Sequence, residues 1–498
     1  MIIELRATDK LRGPKALDVG PILAAVVQTA RDGSLDLARL RVVCDWVQYK
    51  QSFRESIDLR TIVPSAFETA RADRNGAGGT CASYELAIDL RRSGAIDVSA
   101  ELTRALADPD GSAPSGRQYL EGWGPGAASC IWDFNTLYWK ALALWEQATG
   151  RGYEQALPGG ESDARNVAAA RELILKLFAI WDDLAARRAL PDELHVLELG
   201  VGNGNQARIW LDEFLRLDRE LGKDYYRRLH YLMGDYSPHV LERARANVSH
   251  HAERLSCLTL DATRPSDTLG FLRYKAFLVY ISNVYDNLPT DEVVRLGGHL
   301  FHVQVRAYLP GPAAERIGEG LGVPPDQVPG LVTRLLRLGP EVLAEALPER
   351  FSTLLAAVAL WRDAWEALRL EERYLPLEEL DAYEVAPGIG GEALLPILET
   401  EGDTRMHVSN GAVASFVDTL PLLHPLGVLL CHDLFVTDPH QYAGGFKGPG
   451  KYDGSVVNWV NGPLIQAIGG RRGFDVGFAP FAHRVGANVM TLTASVRE

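Results

Sequence analysis

The chain has 498 residues, 47% hydrophobic and 23% charged, which excludes whole-chain disorder and allows a large core without covalent staples. Acidic residues outnumber basic ones, 65 to 51, for a formal charge of −14, so no broad nucleic-acid-binding surface is expected. The five cysteines, Cys44, Cys81, Cys130, Cys257 and Cys431, are scattered with no C-x-x-C, which excludes a disulfide scaffold, a cysteine zinc module and a redox pair.

The opening MIIELRATDK has no basic segment followed by an apolar one, and PILAAVV (21–27), among the longest apolar runs, is too short to span a membrane. A cytoplasmic protein with no membrane partner is expected. Residues 1–110 read as a helical accessory region, because GPILAAVVQTARDG and DLARLRVVCDWVQYK carry apolar residues at three- and four-residue spacing. RADRNGAGGT (71–80) reads as a polar, Gly-rich loop within it. A Gly/Pro-rich loop containing GWGPG then leads into an aromatic helical stretch, Trp132–Gln147, a polar loop and an amphipathic helix, Val167–Arg188. The pattern changes at Pro191. HVLEL (195–199), LHYLMG (229–234), LSCLTL (255–260) and KAFLVYI (275–281) are short apolar runs separated by helical segments, which predicts an α/β fold with a doubly wound, mostly parallel sheet. HLFHVQVRAYL (299–309) alternates with period two and reads as a further strand. Residues 311–405 read as a helical insertion or cap. Helix Gly411–Leu423 and strand GVLLCHDLFV (427–436) resume the sheet, and FDVGFAPF with ANVMTLTASV predicts a closing antiparallel hairpin. The expected organisation is an accessory region (1–110), a first part of the α/β domain (111–310), the insertion (311–405) and the domain's C-terminal part (406–498).

The strongest local signal is Glu198-Leu199-Gly200-Val201-Gly202-Asn203-Gly204 at the end of the first strand. Glycines let the backbone turn tightly and approach a ligand, at the sheet edge where open α/β folds bind cofactors. A dinucleotide fingerprint needs a small residue at position 205, where Asn205 stands, which speaks against a nicotinamide-dependent oxidoreductase.

The form G-x-G-x-G, with an acid two residues before it, resembles motif I of class I S-adenosylmethionine-dependent methyltransferases. The resemblance implies a Rossmann-like sheet, S-adenosylmethionine as cofactor, and Glu198, Gly200, Gly202 and Gly204 in its cradle. Asp235-Tyr236-Ser237-Pro238, closing the second strand, is similar to the family's ribose-binding segment; Ser237 and Pro238 also make a good helix start. Asp261 closes the third strand, where the resemblance implies contact with the adenine amino group, with the Ala262 N–H on a ring nitrogen; Asp261 also suits an Asx turn.

Within that class, residues 150–498 resemble the MidA-type family, which includes the mitochondrial complex I assembly factor that methylates a protein arginine. The likeness rests on LELGVGNGN, SNVYDNLP and YDGSVVNWVNGPL. The family's N-E-x-x-D-A-L-P falls on Ser282–Pro289. Asp286, Leu288 and Pro289 match, but the family's glutamate falls on Asn283, whose amide cannot supply the charge that pairs with a guanidinium. The resemblance implies methyl transfer to N or O of a protein or peptide side chain or a small polar molecule. The Asn283 departure motivates an alternative, a non-catalytic assembly factor that keeps the fold.

Asp286 and Tyr285 after the fourth strand and His432 at the end of the fifth, with Asp433 beside it, are the catalytic candidates, and Asn283 is expected on the cofactor side. A histidine suits proton removal near neutral pH; His432 equally suits a satisfied histidine in a buried strand, and Asp286 a cap for a helix beginning near Thr290. Tyr153 and Arg165, in the loop before the first strand, suit ordinary loop residues, the alternative being that they close over the cofactor, with Arg165 on its carboxylate. Gly445–Lys451 is not a phosphate-binding loop, since Tyr452 replaces the Ser/Thr and Pro449 removes a donor; it reads as a loop over the site, with Tyr452 and Asp453 toward substrate. His299 and His302 fall on opposite faces of a strand, no H-x-x-x-H occurs, and no metal is expected.

Overall fold

A computed structural model describes residues 2–6, 18–32, 39–65, 83–92, 97–107, 116–153, 166–399, 402–483 and 488–497. Its first sheet has seven strands: β1 (Leu194–Leu199), β2 (Leu229–Asp235), β3 (Leu255–Thr259), β4 (Ala276–Ser282), β5 (Leu423–Asp433), β6 (Phe474–Pro480) and β7 (Met490–Val496). Their spatial order is β3-β2-β1-β4-β5-β7-β6. The pairings from β3 to β5 are parallel. The last two strands form the expected closing hairpin, with β7 antiparallel to both β5 and β6. Strand order reverses at β1, so the carboxyl ends of β1 and β4 flank a crevice.

Alternate residues of the central strands enter two different cores. Leu197, Leu199, Val279, Ile281, Leu429 and Cys431 pack with Phe416 and Leu464, whereas Val196, Leu278 and Tyr280 pack with Trp181, Trp210 and Phe214. Burial on both faces is why these strands read as continuous apolar runs rather than alternating ones. Helices α1 (Val167–Ala186), α2 (Asn205–Glu220) and α3 (Pro238–Asn247) contribute to the second core. Asn166 caps α1 by accepting the Ala168 and Ala169 N–H groups.

Residues 1–110 depart from the helical expectation. Helices Gly20–Asp32 and Val98–Ala107 are present, but Ile2–Leu5, Leu40–Asp45, Ile57–Ile62 and Ser83–Asp89 are strands of a second, ten-stranded sheet. LRVVCD, expected in a helix, is buried at all six positions. A short apolar run buried on both faces has no period of its own, and its length and β-branched content favour the strand. RADRNGAGGT lies outside the described residues.

The insertion is helical only in part. Helices Gly311–Leu321, Val328–Ala346 and Leu354–Ala367 are followed by strand Arg369–Pro376. That strand joins the ten-stranded sheet between Ile57–Ile62 and His299–Pro310, with Glu292–Leu296 and Thr404–His407 beyond. The N-terminal region and the insertion therefore build one sheet together. Its interior is ionic: Arg60 Nη1 donates to Glu85 at 2.7 Å, Arg405 donates to Glu372 at 2.9 and 3.0 Å, and Tyr374 donates to Glu85 at 2.5 Å. Removing one partner from such a buried network strands the rest, at a cost of about 3–5 kcal/mol. Among the described residues, no helix is long and apolar enough to cross a membrane.

Candidate functional site

The chain leaves β1 through Gly200, Gly202 and Gly204, with φ of 73°, 55° and 78°, and enters α2. These are left-handed conformations that L side chains adopt at a cost. Packing closes the same positions. A Cβ on Gly200 would lie 2.3 Å from Val284 Cγ2, one on Gly202 2.5 Å from the Tyr153 hydroxyl, and one on Gly204 2.8 Å from the Ala244 Cα. The loop is thus clamped by the segment after β4, by Tyr153 and by α3. Gly204→Ala combines a strained φ with a backbone clash and is expected to destabilise by about 2–4 kcal/mol in urea unfolding.

Asp235, at the end of β2, ties the loop to its neighbour strand: Oδ2 accepts the Gly202 N–H at 3.2 Å and Oδ1 the Ser237 N–H at 3.0 Å. Burial outweighs these two bonds and pushes the carboxyl up to about 6. Each oxygen keeps acceptor capacity beyond the one bond described. Tyr236 is half-buried, its ring 5.1 Å from Lys140 Nζ. Ser237 caps α3 by accepting the Val240 N–H at 3.4 Å, so the capping role and a ligand role for Asp235 coexist. Asp261 is exposed, two residues past β3. Its Oδ1 accepts the Thr263 N–H at 2.8 Å and the Thr263 hydroxyl at 2.7 Å, an Asx-type turn that leaves Oδ2 outside these contacts, with Ala262 half-buried beside it.

Glu198 lies within the sheet rather than in the loop. It is buried and accepts the Tyr231 hydroxyl of β2 at 2.6 Å, and burial pushes its carboxyl up to about 8. An unfolded glutamate ionises near pH 4.5. The stabilising protonated state is therefore complete below that value and is lost as pH rises through about 8. Glu198→Gln keeps the acceptor without the charge. It should leave stability at pH 4.5 nearly unchanged and raise it at pH 8 by up to about 4 kcal/mol, read as a pH-dependent gain in melting temperature.

The segment after β4 is held by β5. Asn283 adopts φ 52° and donates its N–H to the His432 carbonyl at 3.0 Å. Asp433, fully buried, accepts four backbone N–H groups: Val284 at 3.1 Å, Tyr285 at 2.8 Å and Asp286 at 3.4 Å on Oδ2, and Leu434 at 2.8 Å on Oδ1. Burial raises both neighbouring carboxyls, Asp286 and Asp433. The four N–H groups favour charge on Asp433, so the shared proton resides on Asp286. Asn458 donates its N–H and its Nδ2 to the Asp286 carbonyl at 2.9 and 2.8 Å. The helix expected from Thr290 is not formed; Glu292–Leu296 is a strand, as its EVVRL composition favours, and Asp286 caps nothing there. Tyr285, expected to be catalytic, is in the core against Phe435. His432 is buried edge-on to Phe481, with Nδ1 2.9 Å from the Thr491 hydroxyl; burial, then His483, lowers it to about 4.

Two contributors were not anticipated. Tyr49, from the N-terminal region, packs on Gly450, and burial and then the neighbouring Asp286–Asp433 pair, which carries one negative charge, hold its hydroxyl protonated. Asn458 acts through the backbone, for which the sequence carries no signal beyond its place in YDGSVVNWVNGPL. The loop expected over the site is instead a structural tie. Lys451 Nζ is buried on the Glu366 and Leu368 carbonyls at 2.9 and 2.8 Å, and Asp453 accepts from Tyr138, Trp145 and Arg151 at 3.0, 3.1 and 2.6 Å. Tyr153 does reach the glycine loop, its hydroxyl 3.3 Å from the Asn203 N–H that donates to it. Arg165 lies outside the described residues.

No family model matches the chain, and no curated protein matches it. Several solved structures do. A superfamily member and candidate methyl transferase from Burkholderia thailandensis, bound to S-adenosyl-homocysteine, is 15% identical, with a TM-score of 0.45 over 87% of this chain and 94% of that one. A native structure of an uncharacterized protein of that superfamily, from the same organism, is 14% identical with a TM-score of 0.44 and the same coverage, 87% and 94%. The DszA carbon methyltransferase is 12% identical, with a TM-score of 0.33 over 96% of this chain and 92% of that one.

Proposed function

We propose that the chain is an S-adenosylmethionine-dependent methyltransferase with a Rossmann-like, MidA-type catalytic domain. The observation that carries this reading is the strand order β3-β2-β1-β4-β5-β7-β6 with a G-x-G-x-G turn after β1 and carboxylates after β2 and β3, all at one edge of the sheet. The donor set fits the cofactor: Asp235 has acceptor capacity for ribose hydroxyls, Asp261 for an exocyclic amine, and the Ala262 N–H can serve a ring nitrogen. Gly200, Gly202 and Gly204 keep the turn free of side chains, and Tyr236 and Asn283 border it. Glu198 supports the turn from inside the sheet through Tyr231.

When bound, the sulfonium supplies an already activated methyl group. The chain's work is to align an acceptor nitrogen or oxygen with it and to accept a proton. Asp286 holds the proton that it shares with Asp433, and the pair fixes the loop after β4 that carries Asn283. His432 is neutral at pH 7 and can accept a proton only as a weak base, because burial lowers it to about 4 rather than leaving it near neutrality, and Tyr285 positions the loop from the core. The acceptor is a protein or peptide side chain or a small polar molecule. Calorimetric titration tests the first step: S-adenosylmethionine and S-adenosyl-homocysteine should bind at micromolar concentration and NAD should not. A folded protein that binds neither sulfur ligand overturns the reading, and release of S-adenosyl-homocysteine in the presence of an acceptor separates an enzyme from a binding factor.

A further inference from the structure

A second cluster lies away from this edge, on the flank of α2. Asp212 of α2 and the consecutive His250 and His251, in the short helix Ser249–Arg254, bring three ligand atoms within 4.8 Å of one another. His250 Nε2 is 2.8 Å and His251 Nε2 3.1 Å from the same oxygen, Asp212 Oδ1. Two imidazole nitrogens converging on one carboxylate oxygen form an N2O donor set. Tetrahedral zinc, with bonds of about 2.0–2.2 Å, needs its donors about 3.3–3.5 Å apart, so the carboxylate oxygen need only draw back slightly from the two imidazole nitrogens to admit the ion.

The rest of the cluster is arranged for that. The His251 side chain is 1% exposed and its Nδ1 lies 2.6 Å from the Tyr226 hydroxyl, the outer partner that fixes ring orientation in metal-binding histidines. Asp212 and His250 are 55% and 52% exposed, which gives an entry path and room for a water as the fourth ligand. The nitrogen-rich set suits a borderline divalent transition ion and not magnesium or calcium, which take oxygen ligands.

We propose that Asp212, His250 and His251 bind one divalent transition-metal ion, of which zinc is the natural candidate. His251 then donates Nδ1–H to the Tyr226 oxygen and offers Nε2 to the metal. The ion staples α2 to the segment after α3, the two helices that pack across Gly204 and share the Asn205–Asn247 hydrogen bond at 2.7 Å. It thus sits behind the glycine turn without entering it. The inference is independent of the methyltransferase reading.

The test uses the full chain stripped with a chelator. Zinc titration should show one tight site per chain, and zinc should raise the melting temperature of the wild type. Asp212→Asn and His250→Ala, both at half-exposed positions, should keep the circular dichroism of the wild type and weaken zinc binding at least about 10-fold; Tyr226→Phe should weaken it about as much through loss of the outer hydrogen bond. Absence of zinc binding by the wild type, or binding unchanged in both ligand variants, overturns the proposal. The second outcome would place the ion elsewhere, for example at Glu193, His195 and His230.

Discussion

Replacing Asp235 with alanine is expected to weaken S-adenosyl-homocysteine binding by at least about 100-fold while leaving the protein folded. A carboxylate that accepts two ribose hydroxyls makes two hydrogen bonds to a charged group, each worth about 1.5–3 kcal/mol, and about 2.8 kcal/mol is a factor of 100. The same side chain accepts the Gly202 N–H at 3.2 Å, so its loss also loosens the turn that must present the cofactor. Asp235→Asn separates the two effects: its one oxygen keeps an acceptor for Gly202 while its NH2 faces the Ser237 N–H, so it should recover part of the stability without recovering most of the affinity. Because burial pushes the Asp235 carboxyl up to about 6, affinity in the wild type should fall as pH drops through that value and should be flat above pH 7. An Asp235→Ala protein that binds the ligand as the wild type does removes Asp235 from the site.

The parts of this molecule that were legible in its sequence are those where burial and chemistry coincide in short runs. β1, β2 and β4 are buried over most of both faces and β5 over its C-terminal half, so each carries a short, mostly apolar run, and each ends at a residue that cannot continue it: a glycine turn, Asp235, Asn283, Asp433. Of the ten-stranded sheet, His299–Pro310 was legible from its period-two alternation, and most of the rest was not, for the opposite reason. Its inward positions include Arg60, Glu85, Glu372 and Arg405, so the strand Arg369–Pro376, whose burial alternates, shows no hydrophobic alternation. Charges that satisfy one another across strands from residues 60, 85, 372 and 405 are invisible until the strands are paired. The candidate site divides the same way. The glycine turn and Asp235 announce themselves locally. Asp212, 38 residues from His250, does not, and neither does Tyr49.

Asp433 shows how far the site depends on contacts of that second kind, and its substitution is the other large effect expected. Asp433→Ala leaves four backbone N–H groups, those of Val284, Tyr285, Asp286 and Leu434, without their acceptor in a place closed to water. At about 1–3 kcal/mol for each buried donor left unpaired, a loss of at least about 4 kcal/mol is expected in urea unfolding. The damage reaches the glycine turn, because Val284 is the side chain that packs over Gly200. Two isosteric variants sharpen the argument. Asp433→Asn replaces one acceptor oxygen with a donor aimed among donors and should cost about half as much, whereas Asp286→Asn replaces a carboxyl that already holds its proton and should be nearly neutral at pH 7. Were the pair instead two mutually repelling carboxylates, either amide would relieve the repulsion and both variants would be more stable than the wild type. The asymmetry between the two substitutions, measured at pH 7, therefore reports where the shared proton resides.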